Sequence, residues 1–282
     1  MKQVAGFSFL LVLFLLSSTQ KEAKSPEVSG TAVSLPVASA STSAAPTLTT
    51  VAVTSPAPLP PANTDQKAEL LQVLSYHGDE VRTDAPKLRW FGLFKNSKGW
   101  YLKQTNLKTA REYDPIVDDE NGKKTGIAVT VSNPDTSLLL VSGLEYLRER
   151  QVPAFNLGKN QINPGEEVTF NYKGNTYRLW ATGKQEKVDP AFDELTVSDY
   201  KLYLSTTRNG QEVKQLLVEI PAFDATMVQV LFAGDIDGDG FPDLFLDTAD
   251  HYNVSNIALY LSAPAKKGQL VKLVGTHTSV GC

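Results

Sequence analysis

The sequence predicts a mainly β protein, an antiparallel sandwich or barrel-like domain with a hairpin near its C-terminus. Three observations support this prediction. Apolar and polar residues alternate with a period of two over most of the chain from Gln66 onward. Turn sequences containing glycine or asparagine separate these segments at short intervals. Helical periodicity is rare, and no strand–helix–strand spacing occurs, which argues against a parallel nucleotide-binding sheet.

The predicted strands come in pairs, each pair joined by a turn. Paired segments are 88–94 with 100–107, 168–172 with 177–181, 201–206 with 213–220, 227–232 with 244–246, and 257–261 with 270–274. The first pair is joined by a turn at 96–99 and the second by a turn at Gly174–Asn175. Two segments are ambiguous. Residues 67–75 fit either a short helix or a first strand, and residues 144–150 fit one or two turns of helix.

The N-terminal residues 1–19 have the plan of a secretory signal peptide. Lys2 supplies a positive charge, residues 4–16 form an apolar run, and small residues follow. The run is too short for a comfortable membrane anchor. Residues 16–21 resemble a bacterial lipoprotein signal, but Thr19 stands where the lipidated cysteine would be. The pattern therefore predicts an exported bacterial protein and argues against lipidation.

Residues 20–65 predict a disordered linker ahead of a globular domain at 66–282. From Ser25 to Asp65 the chain has no lysine, arginine or aromatic residue and is rich in alanine, proline, serine and threonine. Such a segment cannot bury enough apolar surface to offset the entropy of ordering.

Composition excludes several function classes. The formal net charge is -4, and no basic stripe is interleaved with aromatic residues, so nucleic-acid binding is not expected. No later segment is apolar enough to span a membrane. The one cysteine, Cys282, allows no intrachain disulfide. His77, His251 and His277 are isolated in sequence, and structural or surface roles are expected for all three.

An acidic loop at residues 235–243 carries the clearest chemical signal. Counted from Asp235, carboxylates occupy positions 1, 3, 5 and 9, namely Asp235, Asp237, Asp239 and Asp243. The backbone carbonyl of Phe241 is available at position 7, and glycines at positions 4 and 6 permit a sharp turn. Hard oxygen ligands at this spacing are what Ca²⁺ favours. The loop therefore predicts a calcium site in which these four aspartates and Phe241 are the ligands.

Two other kinds of acidic loop fit the residues around 235–243 less well. An EF-hand would place a bidentate glutamate at position 12 and helices on both sides, whereas Leu246 stands there between strand-like flanks. A phosphoryl-transferring Asp-x-Asp site would need threonine or valine in place of Asp239 and a long α/β domain downstream. A solvated acidic turn without metal is the remaining alternative. Asp247 and Asp250 either complete the calcium shell or end a strand.

The segment 233–244, Ala-Gly-Asp-Ile-Asp-Gly-Asp-Gly-Phe-Pro-Asp-Leu, resembles the loop of FG-GAP and VCBS-type repeats. These repeats occur in integrin α-chains and many bacterial surface proteins. The resemblance covers roughly residues 228–248. It implies Ca²⁺ ligation by Asp235, Asp237, Asp239 and Asp243. Family members carry several copies, each one blade of a propeller, whereas this chain has one.

The sequence leaves two functions open. The first is an exported calcium-binding β-domain that serves as a binding or structural module at the bacterial envelope. Its partner would be a protein or glycan at the cell surface, and its location the periplasm, the envelope or the medium. The alternative is a secreted hydrolase of glycan or peptide. Its carboxylates would come from distant parts of the sequence, which sequence patterns cannot pair.

Overall fold

The computed structural model describes residues 68–187, 195–208 and 210–281. The predicted signal peptide (1–19) and linker (20–65) lie outside these residues. The described part is mainly β, which confirms the predicted fold class. Its strands form four antiparallel sheets, numbered I to IV by the first strand of each.

Sheets I and II are built from the first eight strands, and the chain passes between the two sheets four times. Sheet I has the order β1-β7-β3-β4-β8 and sheet II the order β2-β6-β5. The strands are β1 (Glu69–Leu71), β2 (Ser75–Tyr76), β3 (Trp90–Asn96), β4 (Gly99–Thr105), β5 (Leu107–Glu112), β6 (Gly126–Val131), β7 (Thr136–Ser142) and β8 (Arg150–Gln151).

Sheets III and IV are each a run of consecutive strands joined by hairpins. Sheet III has the order β12-β11-β10-β9, and sheet IV the order β13-β14-β15-β16. The strands are β9 (Glu167–Tyr172), β10 (Asn175–Lys187), β11 (Leu195–Arg208), β12 (Gln211–Ala222), β13 (Gln229–Gly234), β14 (Asp243–Asp247), β15 (Val254–Leu261) and β16 (Lys272–Val280).

Sheet IV lies between two hydrophobic cores. In β14, Leu244 and Leu246 pack with sheet III, while Phe245 between them packs with sheet I. The alternation continues through β15, where Ala258 and Tyr260 face sheet III and their neighbours face sheet I. A third core joins the outer face of sheet I to sheet II. Because both faces of β14 are covered, its apolar run is continuous instead of alternating.

Several hairpins follow the predicted turns. The β9–β10 turn lies one residue before the predicted Gly174–Asn175, because Asn175 begins β10. Its two residues are Lys173 and Gly174, with φ of 46° and 80°. Two positive φ values in a two-residue turn match the right-handed twist of the flanking strands. Strands β3 and β4 meet at the predicted turn of residues 96–99.

Two segments, 67–75 and 144–150, could be either helical or extended from their sequences, and the described part of neither is a helix. Residues 67–75 contribute β1 and the start of β2, so the strand alternative is confirmed for their described part. The helix considered for residues 144–150 is wrong. Leu144 and Leu147 are three residues apart as on a helix face, but both are drawn into the core between sheets I and IV. The chain makes only a turn at 145–146 before Arg150 begins β8.

Buried polar side chains connect sheet III to sheet IV. The Gln215 amide on β12 is fully buried. Its Oε1 accepts hydrogen bonds from the N–H groups of Leu270 and Val271 at 2.6 and 3.1 Å, and its Nε2 donates to the Val271 carbonyl at 2.8 Å. The Tyr260 hydroxyl of β15 donates to the Leu217 carbonyl at 2.8 Å. These bonds satisfy backbone groups that lie beyond the sheet ladders.

Helix is almost absent from the described residues, which contain one 3₁₀ turn at Ala85–Lys87. Within this part of the chain, no helix has the length and apolar character needed to cross a membrane.

We expect Gln215→Met to lower the free energy of unfolding by about 2–4 kcal/mol. The substitution keeps the chain length of the side chain but leaves three buried backbone groups without partners, at roughly 1 kcal/mol or more each. Urea denaturation measures the effect. Gln211→Met, at the exposed start of the same strand, is the control and should change stability by less than about 0.5 kcal/mol. Equal stability of the two variants would contradict the role given to Gln215.

Candidate functional site

The acidic loop joins β13 to β14 in sheet IV. Gly234 pairs with Asp243 across the hairpin, so both ends of the loop are fixed by the ladder. The loop is also attached to the segment after β8, because the Asp235 N–H donates to the Pro153 carbonyl at 3.0 Å. Ile236 is fully buried in the core between sheets I and IV. An apolar side chain between two aspartates thus fixes the position of the loop against the core.

Three of the predicted ligands converge. One carboxylate oxygen from each of Asp235, Asp237 and Asp239 lies within 4.8 Å of the other two. Asp235 is buried, Asp237 is half-buried and Asp239 is exposed, so the triad runs from the interior to the surface. The described structure therefore contains an acidic triad that could hold a metal ion.

Backbone hydrogen bonds shape the loop around the triad. Asp235 Oδ1 accepts from the Gly238 N–H at 2.8 Å, Asp237 Oδ1 from the Asp239 N–H at 3.2 Å, and Asp239 Oδ1 from the Phe241 N–H at 2.8 Å. Gly238 and Gly240 have φ of 90° and 93°, a region that side-chain-bearing residues rarely adopt. Each carboxylate therefore accepts a hydrogen bond from a backbone N–H group two or three residues further along the same loop.

Asp243 lies beneath the loop, apart from the three-residue cluster. Its Oδ2 accepts from the N–H groups of Ile236 and Asp237 at 2.6 and 3.1 Å. Its Oδ1 accepts from the Ser262 N–H at 2.7 Å. The Ser262 hydroxyl lies 2.9 Å from both Asp243 Oδ1 and Asp239 Oδ1, so the two carboxylates share its one proton. The carboxylate is completely buried. It therefore ties the start of the loop to the residue that follows β15.

The remaining sequence candidates lie around this centre. Phe241, whose carbonyl was predicted as a ligand, is 38% exposed at its side chain, and the Arg208 guanidinium lies 4.9 Å from its ring centroid. Asp247 accepts hydrogen bonds from Ala249, Ser255 and Asn256 at the end of β14. It is outside the triad, as is Asp250.

Burial and neighbouring negative charges raise the pKa values of two carboxylates in the loop, Asp237 and Asp243. Burial and then the negative charges of Asp239 and Asp235 raise the pKa of Asp237 to about 6, against the opposing effect of backbone hydrogen bonds. Burial, followed by repulsion from Asp237, raises the pKa of Asp243 well above its usual range. A cation in the triad would oppose both effects, since it favours the ionised carboxylates.

Residues from two other sheets contact the loop, and sequence patterns did not indicate them. Arg150 of β8 places Nη1 3.4 Å from Asp235 Oδ1, and the Tyr172 hydroxyl of β9 donates to Asp235 Oδ2 at 2.7 Å. The Arg150 guanidinium covers Gly238, and the Lys173 ammonium covers Gly240: a Cβ on either glycine would lie 1.6 Å from Arg150 Nη1 or 2.6 Å from Lys173 Nζ. Two cations therefore flank the acidic loop.

The three histidines occupy different surroundings. His77 Nδ1 lies 2.5 Å from Oδ2 of the buried Asp114, and His251 Nε2 lies 3.0 Å from Asp224 Oδ2 at the surface. His277 is packed edge-on against Tyr76, and burial lowers its pKa. The hydrogen bond to Asp114 raises the pKa of His77, and the same bond lowers the pKa of Asp114.

We expect Gly238→Ala to destabilise the protein more than Gly268→Ala. Both glycines have φ of 90°, so both substitutions incur about 1–2 kcal/mol of backbone strain. Space is open around Gly268, whereas a methyl at Gly238 displaces Arg150 from the buried Asp235. The extra loss should be about 1 kcal/mol or more in urea denaturation. Equal losses would show that Arg150 contributes nothing to holding the loop.

A second expectation concerns pH. His77 should titrate above its ordinary value of 6.5 in NMR spectra, and Asp114→Asn should lower its pKa, whereas Asp79→Asn at an exposed position should have little effect. Since the folded pKa of His77 is raised, its stabilising contribution is complete below 6.5 and is lost as pH rises through the folded pKa. The contribution of Asp114, whose pKa is lowered, is complete above 3.8 and is lost as pH falls. A His77 pKa unchanged by Asp114→Asn would contradict the pairing.

No family model matches the chain, and no significant match is found among curated proteins or solved structures. Function must therefore be argued from the site itself.

Proposed function

We propose that the chain is an exported β-domain that binds one Ca²⁺ at the loop of residues 235–243 and serves as a binding or structural module at the bacterial envelope. The observation that carries the proposal is the convergence of Asp235, Asp237 and Asp239 within 4.8 Å. The likeness to FG-GAP and VCBS-type loops and the signal-like N-terminus support it.

The donor set favours calcium over a transition metal. The triad offers carboxylate oxygens only, and the described residues around it supply no imidazole or thiolate. Oxygen ligands in flexible geometry suit Ca²⁺, whereas Zn²⁺ sites use histidine and cysteine. The carbonyl of Phe241 and water would complete the six to eight oxygens that Ca²⁺ takes. Both Asp243 oxygens already accept backbone hydrogen bonds, so we assign Asp243 mainly to anchoring the loop.

We assign the ion a structural role. The loop is contacted by Arg150 from sheet I, by Tyr172 from sheet III and by Ser262 from sheet IV. A bound cation would remove the repulsion among the carboxylates at the point where the three sheets meet. Calcium sites of extracellular modules have Kd on the order of 10⁻⁴–10⁻³ M. At tenfold excess over Kd the stabilisation is about 1.4 kcal/mol.

Thermal melting of the protein with added Ca²⁺ and with excess chelator tests whether the loop of residues 235–243 binds Ca²⁺. We expect Ca²⁺ to raise the midpoint and chelator to lower it. Asp237→Ala should abolish the difference, because it removes one ligand of the triad. Asp250→Ala, at an exposed position in the β14–β15 connection, is the control and should keep the difference. Mg²⁺ should stabilise less, since it demands stricter octahedral geometry.

Two outcomes would overturn parts of the proposal. A wild-type midpoint that does not respond to chelator or to added Ca²⁺ would show that the loop is an acidic turn without metal. Turnover of a polysaccharide or peptide panel by the wild-type protein would favour the alternative of a secreted hydrolase over a non-catalytic module.

A further inference from the structure

A cavity of about 330 Å³ lies beside the acidic loop, between the end of β11 and the connection from β15 to β16. Its apolar wall contains Phe241, Ala265 and Leu270. Its volume is at the lower end of the range of roughly 300–1,000 Å³ typical of small-molecule sites. Its charged wall contains three cations and one carboxylate, namely Arg208, Lys266, Lys267 and Asp239.

Hydrogen bonds fix the β15–β16 connection, which forms one side of the cavity. The Ala263 N–H donates to Asp237 Oδ2 at 3.0 Å, which ties the connection to the acidic loop. Within the connection, the Lys266 N–H donates to Gln269 Oε1 at 3.1 Å, and the Gln269 N–H donates to the Lys266 carbonyl at 2.9 Å. The backbone that carries Lys266 and Lys267 is therefore held in place beside the loop.

The three cations of the cavity have no carboxylate partner. In the part of the chain that the structure describes, Arg208, Lys266 and Lys267 form no ion pair. Two lysines are exposed, whereas Arg208 is half-buried and its guanidinium lies 4.9 Å from the Phe241 ring centroid. Three cations around one concave surface make its potential positive, which favours an anionic ligand.

We propose that this cavity binds a ligand that carries a carboxylate group, and that Ca²⁺ in the acidic loop strengthens this binding. Arg208 is the main partner, because a planar guanidinium can donate two parallel hydrogen bonds to one carboxylate. Lys266 and Lys267 add positive charge, while Phe241 and Leu270 pack against the rest of the ligand. The effect of Ca²⁺ rests on the proposed function, whereas the cavity and its cations do not depend on it.

Asp239 couples the two sites, because it lines the cavity and also belongs to the triad. Without a cation in the triad, its negative charge repels a carboxylate in the cavity. Ca²⁺ bound by Asp235, Asp237 and Asp239 neutralises that charge. The coupling is reciprocal, so the ligand strengthens Ca²⁺ binding by the same factor.

Other ligand classes fit this cavity less well. Three cations against one carboxylate disfavour a cationic ligand. Phosphate sites are commonly built on the backbone N–H groups at the N-terminus of a helix. Among the described residues, the one helical turn is at Ala85–Lys87, and neither it nor its neighbours line the cavity. A carboxylate on a ligand of about one sugar or amino-acid unit is therefore the expected occupant.

The test is titration of the full chain with glucuronate, followed by NMR shifts of Phe241 and Gly268, which line the cavity. It is carried out with saturating Ca²⁺ and with protein freed of Ca²⁺ on a chelating resin, since a soluble chelator is itself a polycarboxylate. A blocked glutamate forms a second arm, which separates an acidic sugar from an acidic protein side chain as the source of the carboxylate. We expect saturable binding of at least one acidic probe, about fivefold or more tighter with Ca²⁺.

Variants locate the binding. Arg208→Gln should weaken it about tenfold or more, as expected for loss of a charge-assisted hydrogen bond. The double variant Lys266→Gln and Lys267→Gln should weaken it by a smaller factor, because exposed charges are screened. Lys123→Gln with Lys124→Gln, an exposed pair in the β5–β6 connection, changes the net charge equally and should leave binding unchanged. An equal loss in both double variants would overturn the assignment to this cavity.

Asp239→Asn separates the carboxylate site from the calcium site. It should strengthen glucuronate binding in the Ca²⁺-free protein, because it removes the repelling charge, and it should abolish the effect of Ca²⁺ on that binding. The asparagine oxygen can still accept from the Phe241 N–H and the Ser262 hydroxyl, so the shape of the loop is kept. Weaker or unchanged binding by the Ca²⁺-free variant would contradict the role given to Asp239.

Three further results would overturn the proposal. The first is no saturable binding of either acidic probe, and the second is binding of neutral glucose as tight as that of glucuronate. The third is tighter binding of glucose 6-phosphate than of glucuronate, which would make the site one for phosphate. Failure of the metal site is seen separately, because it leaves the melting midpoint unresponsive to Ca²⁺ while glucuronate still binds the Ca²⁺-free protein.

Discussion

The Asp243 carboxylate accepts three backbone hydrogen bonds in the interior and shares the Ser262 hydroxyl proton with Asp239. Two of the backbone donors belong to the start of the acidic loop, and the third belongs to Ser262 after β15. Burial works against the ionised form of this group, as the raised pKa shows. The hydrogen bonds offset part of that cost and at the same time fix the loop against the neighbouring strand. The positions of Asp235, Asp237 and Asp239 depend on this one buried carboxylate.

The layering of the sheets explains why the site is where it is. Sheet IV has sheet III on one face and sheet I on the other. The β13–β14 loop therefore emerges at an edge where residues of both neighbouring sheets, I and III, can reach it. Arg150 and Tyr172 come from opposite sides and contact the two oxygens of Asp235. Such a meeting point concentrates negative charge and its compensating cations in one small region.

Local features of the fold could be predicted from sequence because local interactions determine them. The β9–β10 hairpin could be predicted because Gly174 readily adopts the positive φ that its turn needs. The acidic loop could be predicted from the aspartates at alternate positions 235, 237 and 239. The partners of the loop could not be found in this way. Arg150 and Tyr172 are 85 and 63 residues from Asp235 in sequence. Nothing in their own neighbourhoods marks them, since only the packing of three sheets brings them together.

The same limit explains the error at residues 144–150 and why the pairing of His77 with Asp114 could not be predicted. The spacing of Leu144 and Leu147 suits a helix face, but the core that buries them lies between sheets that form from distant strands. His77 is isolated in sequence, yet the pairing of β2 with β6 brings it to Asp114, 37 residues away. In a protein made of sheets, the chemistry of a side chain depends on strand pairing more than on its neighbours.

The central position of sheet IV has a consequence for the order of folding. Its strands are the last of the described chain, residues 229–280, yet they form an internal layer between sheets III and I. Until they are synthesised, the apolar faces of sheets I and III have nothing to cover them. Ala68, at the other end of the described domain, donates its N–H to the Val274 carbonyl at 2.8 Å. A nascent chain lacking β13–β16 therefore exposes two apolar surfaces, so productive folding has to await the synthesis of these four strands.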